Sequence, residues 1–296
     1  MIRAESLWKR FRGHDAVRGI SFSVPEGSAF ALIGANGAGK TTTMKILMNI
    51  LQPTSGSATL LGIDSRNLSP RELNRVGYVS ENQQLPERLT VEEYFAYLRP
   101  FYTRWDRQLE SSLRGQLRLP ATRRMGDLSH GTRMKMALAC ALPFRPEVLI
   151  LDEPFSGLDP LVRDEFMDSV LGQAGETTIL ISTHELGEIE GIATHVAFLE
   201  EGKLLFDEPM DHLRERFRTI RVVFDQAARL PQEPWPEWLQ VCVVGNTLEF
   251  IDSCFSERLS HEKLIARFHG IRSIEAESVP LRTIFTALAR SVRSAA

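Results

Sequence analysis

The stretch SAFALIGANGAGKTTTMKILMNIL, residues 28–51, decides the fold. Its opening run, SAFALI, is apolar but for the serine and has the length of a buried strand. Its close, TTMKILMNIL, has the pattern of a helix. Between them GANGAGKT, residues 34–41, matches G-x-x-x-x-G-K-[ST] in full, in the strand-before, helix-after context the motif requires. The glycines let backbone N–H groups turn inward around phosphate oxygens, where a side chain would block them. The helix N-terminus adds its positive end. Gly34, Ala35, Asn36, Gly37, Ala38 and Gly39 therefore form a candidate phosphate cradle that runs on into Thr42. Lys40 is placed for the β- and γ-phosphates, and the Thr41 hydroxyl for Mg²⁺.

Further along, VLILDEP, residues 148–154, supplies the complement. Four apolar residues form a buried strand that delivers Asp152 and Glu153 at its C-terminal end. That edge of a parallel sheet is where ligands bind. Asp152 is the candidate Mg²⁺ ligand. Glu153 is the candidate base for an attacking water, a role that contributes ~10²–10⁴ in rate. TTILIS ends in the same way, before a histidine, His184, whose imidazole can stabilise charge developing on a transferred phosphate.

Around these motifs residues 1–206 read as α/β, with SAFALI, EVLILD, TTILIS and HVAFLE as buried strands. HVAFLEEGKLLFD reads as two strands about a Glu-Gly turn. Residues 85–142 differ: they are mostly helical, with a capping box at Thr90 and Glu93, and form a helical insert. Residues 207–296 read as a small C-terminal α+β domain. DHLRERF, SHEKLIARFHG and PLRTIFTALARSV are its helices, and TIRVVF and IRSIEAE its strands. LQVCVVGNTLEFI is a hairpin turning at Gly245-Asn246, and LPQEPWPEWL is a proline-rich loop.

Bulk properties narrow the function. A net charge of −3 without basic tracts offers no field to recruit nucleic acid or acidic lipid. Cys140, Cys242 and Cys254 are odd in number and form no CxxC pair, which argues against a disulfide framework or zinc site and fits a reducing cytosol. The opening residues lack the apolar core of a signal peptide. No run approaches the ~18–20 apolar residues that span a bilayer. Any membrane role is expected to come through a partner.

Taken together, the motifs of residues 1–206 resemble those of the ATP-binding subunits of ABC transporters, P-loop NTPases. GANGAGKTT resembles Walker A, LSHGT the signature, VLILDEP Walker B with its catalytic glutamate, SGLDP the D-loop, and His184 the switch histidine. The resemblance implies ATP and Mg²⁺ as ligands and Phe11 as an aromatic stacked on adenine. It also implies a dimer in which Ser129 and Gly131 of one subunit close on ATP held by the other, with Asp159 at the seam. The second subunit is a copy or a close homologue. Three positions depart from the family pattern. Glu81 stands where the family has a glutamine that reaches Mg²⁺ and water, with Gln83 the alternative if the loop slips. His130 and Thr132 occupy signature positions where the site tolerates variety.

With no span of its own, a chain of this family is expected to work with a separate permease at the cytoplasmic face of the bacterial cell membrane. The helical insert would contact that permease. Its aromatics, Tyr94, Phe95, Tyr97, Phe101, Tyr102 and Trp105, form either that contact or the insert's own core. The C-terminal domain resembles that of subunits paired with ABC-2 type export permeases. The alternatives are a soluble ABC ATPase acting on ribosomes or DNA, and a regulatory ATP-binding module with weak hydrolysis. The first expects tandem cassettes or a long coiled-coil insertion, and neither is present in this sequence.

Overall fold

The computed structural model describes residues 1–172, 177–185, 187, 189–228 and 235–295. Two strands open the chain, β1 (Ile2–Phe11) and β2 (His14–Val24). Their turn places both Arg12 and Gly13 at positive φ, the conformation a two-residue hairpin needs. There follow β3 (Ala29–Ile33), α1 (Lys40–Leu47), β4 (Ser55–Leu60), β5 (Ile63–Asp64), α2 (Pro70–Leu73) and β6 (Val76–Ser80). The next named helices are α3 (Val91–Leu98), α4 (Arg107–Gln116) and α5 (His130–Ala141). After them come β7 (Val148–Asp152), α6 (Pro160–Leu171), β8 (Thr178–Thr183), β9 (His195–Glu200) and β10 (Lys203–Pro209).

One six-stranded sheet, ordered β10-β9-β3-β8-β7-β6, carries the strands expected from the apolar runs. β3, β7 and β8 are buried along their whole length, as strands covered on both faces must be. β3 pairs in parallel with β8 and β9, and β7 in parallel with β6 and β8. The register aligns their C-terminal ends: Ile33 with Thr183, and Asp152 with both Ser182 and Ser80. That alignment puts the phosphate loop, Asp152, His184 and the loop after β6 at one edge.

A second sheet, β2-β1-β4-β5, is antiparallel throughout. Residues from both sheets and α1 form one apolar core, including Ile20, Phe22, Leu32, Met44, Ile150 and Leu180. Full burial of each such side chain contributes about 1.5–3 kcal/mol before entropy is counted.

In the helical insert the capping box forms as expected, with Thr90 and Glu93 each bonding the other's backbone N–H. The aromatics divide. Phe95 is fully buried, Trp105 donates to buried Glu110, and Tyr102 stacks on Phe144 at 4.1 Å. Tyr97 and Phe101 are 57% and 55% exposed, and Tyr94 stacks on Tyr97. Phe95, Tyr102 and Trp105 therefore belong to the insert's own packing, and Tyr97 and Phe101 lie on its surface.

The chain divides into two compact units, Met1–Asp207 and Glu208–Ala296. The second holds α7 (Met210–Arg216), β11 (Arg218–Phe224), β12 (Trp238–Val244), β13 (Thr247–Asp252), α8 (Glu257–Arg267), β14 (Ile271–Ser278) and α9 (Leu281–Ala295). Its antiparallel sheet, β12-β13-β11-β14, packs around Ile220, Val222, Leu248, Leu264 and a Trp238–Phe250 stack at 3.8 Å. The hairpin turns at Gly245, φ 62°, as expected. Of the proline-rich loop, residues 230–234 lie outside the described residues; Trp235 packs edge-on to Trp238. Among the described residues no helix is long and apolar enough to cross a membrane. The three cysteines are free.

Candidate active site

The glycines of the phosphate loop stand where a side chain does not fit or would be strained. Gly37 and Gly39 take φ of 86° and 107°. A Cβ on Gly39 would lie 2.4 Å from the Ala16 carbonyl oxygen, and one on Gly34 2.2 Å from that of Leu199. The loop thus runs against β2 and β9 too closely for a side chain.

Lys40 opens α1 and is 4% exposed. Its ammonium donates to the carbonyls of Gly34 at 2.6 Å and Ala35 at 3.1 Å. It also lies 2.9 Å from Glu153 Oε1. That oxygen is buried, with the ammonium as its charged neighbour. The other oxygen, Oε2, lies 2.8 Å from His184 Nδ1. An ionised carboxylate only accepts, so Nδ1 carries the hydrogen. The Glu153 amide donates to Ser182 Oγ at 2.9 Å. Glu153 takes φ 50°, a strained conformation for a side-chain-bearing residue, costing about 1–3 kcal/mol and found mainly at functional sites.

Beside it, Asp152 Oδ1 accepts from Thr41 Oγ1 at 3.0 Å and from Ser182 Oγ at 2.7 Å. Burial pushes the Asp152 carboxyl above its usual pKa and the neighbouring Glu153 charge adds to this, while the two hydroxyl donors oppose it. Thr41 and Asp152 suit a small hard cation, which takes few protein oxygens and completes its shell with phosphate and water. Among the described residues no cluster of three or more His, Cys, Asp or Glu could hold a metal without such help.

These groups open on a cleft of about 430 Å³ lined by Phe11, Asn36, Gly37, Gly39, Lys40, Thr41, Thr42, Glu81, Glu153 and His184, together with His14, Ala16 and Ser156. Phe11 ends β1 and is 41% exposed, with the Lys9 ammonium 4.9 Å from its ring centre. Glu81, rather than Gln83, lines the cleft. Gln83 folds back on Ser80 and lines a neighbouring cavity of about 560 Å³. Asn36 and Thr42 stand in the cleft wall, whereas Ala38 is buried beneath the loop.

The signature residues lie elsewhere. Ser129 is exposed and caps α5, accepting from the Thr132 amide at 3.2 Å. Gly131 follows it, 3.4 Å from Val162 at its would-be Cβ. Asp159 caps α6, accepting from the Val162 amide at 3.0 Å. None of the three lines the cleft. Sequence reasoning missed His14, Ser156 and Ser182. Ser156 opens SGLDP and Ser182 closes TTILIS, but neither stretch by itself gives its serine a task; His14 follows the Arg12–Gly13 turn and could have been found from the hairpin.

Known proteins share the sequence and the fold. A family model described as ABC transporter fits residues 17–156. The ABC transporter ATP-binding protein YxlF of Bacillus subtilis is 32% identical over 244 residues, covering 80% of each chain. The daunorubicin resistance ATP-binding protein of Streptomyces coeruleorubidus is 34% identical, over 78% of this chain and 74% of that one. The bacitracin transport ATP-binding protein of Bacillus licheniformis is also 34% identical, over 74% and 72%. A solved ATP-binding subunit of an ABC transporter superposes with TM-score 0.66 at 26% identity, over 73% of this chain and 92% of that one. A dimeric cassette bound to ADP and phosphate shares the fold, with TM-score 0.63 at 21% identity over 71% and 99%. The chain belongs to the ATP-binding subunits of ABC transporters, the ABC ATPases.

Proposed function

We propose that the chain binds ATP with Mg²⁺ in the cleft, hydrolyses it at sites shared with a second subunit, and so powers export through a separate ABC-2 type permease at the cytoplasmic face of the bacterial cell membrane. The observation that carries this reading is a division of labour within one chain. Lys40, Thr41, Glu153 and His184 line one cleft, with Asp152 bonded to Thr41 behind it, while Ser129 and Gly131 sit outside it on an exposed helix N-terminus. A helix N-terminus favours an anion, and that anion is the γ-phosphate in a partner's cleft. The exporter assignment draws on the relatives named for daunorubicin resistance and bacitracin transport.

Each side chain then has a task. Phe11 stacks on the adenine. The triphosphate takes over Lys40 from Glu153, whose carboxylate accepts the proton of the attacking water. Ser182 holds the Glu153 backbone and His184 its carboxylate, and the His184 imidazole stabilises charge developing on the transferred phosphate. Mg²⁺, held by Thr41 and Asp152, would neutralise charge on the β- and γ-phosphates. Asp159 lies on the seam, and exposed Tyr97 and Phe101 are the insert's contribution to the permease contact.

Affinity purification of the tagged full chain from solubilised membranes tests the reading. Recovery of a polytopic membrane protein supports it; recovery with ribosomes instead overturns the transport assignment.

A further inference from the structure

At the edge of the six-stranded sheet opposite the nucleotide cleft lies a second cavity, of about 590 Å³. Two of its lining residues, Arg75 and Glu147, stand immediately before β6 and β7. Those strands each run five residues, roughly 17 Å, from this edge to the cleft. Arg75 and Glu147 satisfy one another: Arg75 Nε and Nη2 donate to the two carboxylate oxygens at 2.7 and 2.6 Å. This forked pair holds the Glu147 carboxyl below its usual pKa against partial burial, and the Arg104 charge adds to it. Arg71 and Arg104 line the same cavity and are exposed. Neither guanidinium forms an ion pair among the described residues. Three guanidiniums against one carboxylate leave an excess of two positive charges. The apolar wall is Tyr102, stacked on buried Phe144 with the rings 9° from parallel. Burial raises the pKa of the Tyr102 hydroxyl, so it stays protonated at neutral pH. That hydroxyl has no hydrogen-bond partner among the described residues.

We propose that this cavity is a second ligand site, separate from the nucleotide cleft, for a small phosphomonoester carried on a flat ring. A phosphomonoester bears about −1.5 to −2 charge at neutral pH and three strong acceptor oxygens. The two excess positive charges match the first, and the donors of Arg71, Arg104 and Tyr102 the second. Glu147 keeps Arg75 occupied, so Arg71 and Arg104 are the groups that recognise the anion. A carboxylate brings one charge and two oxygens, and would leave one guanidinium without a counter-charge. The cavity falls within the roughly 300–1,000 Å³ of small-molecule sites, far more room than a bare phosphate fills. A ring takes up the remainder, laid against Tyr102 and under the guanidinium planes, which stack on aromatic faces. Phosphatidic acid offers the same headgroup at a membrane surface, but it carries acyl chains and no ring for that wall.

Calorimetric titration of the full chain with phenyl phosphate tests the site. The parent should bind it saturably with a Kd below about 1 mM, and benzoate roughly tenfold more weakly. Arg71→Gln and Arg104→Gln should each weaken phenyl phosphate binding roughly tenfold, the low end for one charge-assisted hydrogen bond, and leave ATPase activity unchanged. Tyr102→Phe keeps the stack and removes the donor, and should weaken binding roughly two- to fivefold. Lys40→Ala should bind phenyl phosphate as the parent does, since the phosphate loop is not this site. The site is overturned if the parent does not bind phenyl phosphate, or if the Arg71→Gln, Arg104→Gln double variant binds it as the parent does. Loss of binding in Lys40→Ala alone would assign the probe to the phosphate loop and equally overturn it. Vesicles of phosphatidylcholine with phosphatidic acid separate the two sources of the headgroup. If the parent sediments with them through Arg71 and Arg104 while phenyl phosphate goes unbound, the ligand is a lipid and the small-molecule site is wrong.

Discussion

Replacing Glu153 by glutamine keeps the shape of the side chain and removes one negative charge from the centre of the cleft. Two effects follow, and they have opposite signs. Loss of the base lowers kcat by ~10²–10⁴. The same charge, however, stands 2.9 Å from the Lys40 ammonium that the triphosphate must engage. It also stands beside phosphates of its own sign. Like charges about 4 Å apart cost about 1–4 kcal/mol at effective dielectrics of 80 to 20. Even at the lower end, about 1 kcal/mol corresponds to roughly fivefold tighter ATP binding. Lys40 retains its two carbonyl partners in the variant, so the loop keeps its form. Phosphate-release kinetics and calorimetric titration measure both quantities on the same protein. Turnover at the parental rate would refute the base assignment. Weaker ATP binding alongside lost turnover would refute the competition between Glu153 and phosphate for Lys40.

Other positions give independent checks. Gly39→Ala forces a Cβ against the Ala16 carbonyl at φ 107°; it should lose nucleotide binding and cost about 1–3 kcal/mol in a chemical melt. Phe11→Ala should raise the Kd for ATP by roughly tenfold, since a base–aromatic stack is worth about 1–3 kcal/mol, whereas Phe11→Tyr should leave it near parental. Glu110 is buried in the helical insert; burial raises its pKa, but hydrogen bonds from Arg99 and Trp105 outweigh that and hold the carboxyl below its usual value. Its stabilisation is therefore complete above the unfolded carboxylate pKa and lost as pH falls through the lower folded one. Glu110→Gln should cost about 2 kcal/mol at pH 7, and the gap from the parent should close as pH falls through that window; a gap independent of pH contradicts the assignment.

The parallel strands were legible because burial on both faces leaves uninterrupted apolar runs, as in VLILD. The phosphate loop was legible because its glycines answer to backbone geometry. The antiparallel sheet of the first 64 residues was not separated from the rest. Ser6 takes positive φ and the register shifts between Ala4 and Leu7, so the alternation that marks a half-buried strand slips within β1. In the site, spacing could not choose between Glu81 and Gln83, since a loop can slip by two residues, and only the folded loop places Glu81 in the cleft wall. His130 read as a tolerated variation because its partner, the Ser156 carbonyl, is backbone and leaves no mark in the sequence. The aromatics of the insert share one composition, and only packing divides Phe95 from Tyr97.

The central claim is that each active site takes Lys40 from one subunit and Ser129 from another. Mixing two inactive full-length chains, Lys40→Ala and Ser129→Arg, tests it most directly. In a mixed dimer one site joins the intact cleft of the second chain to the intact signature of the first. ATPase activity should return on mixing to about a quarter of the parental rate, from half the dimers with one working site each under random two-fold pairing. Two inactive chains that stay inactive when mixed, while still forming dimers with ATP, would contradict the account.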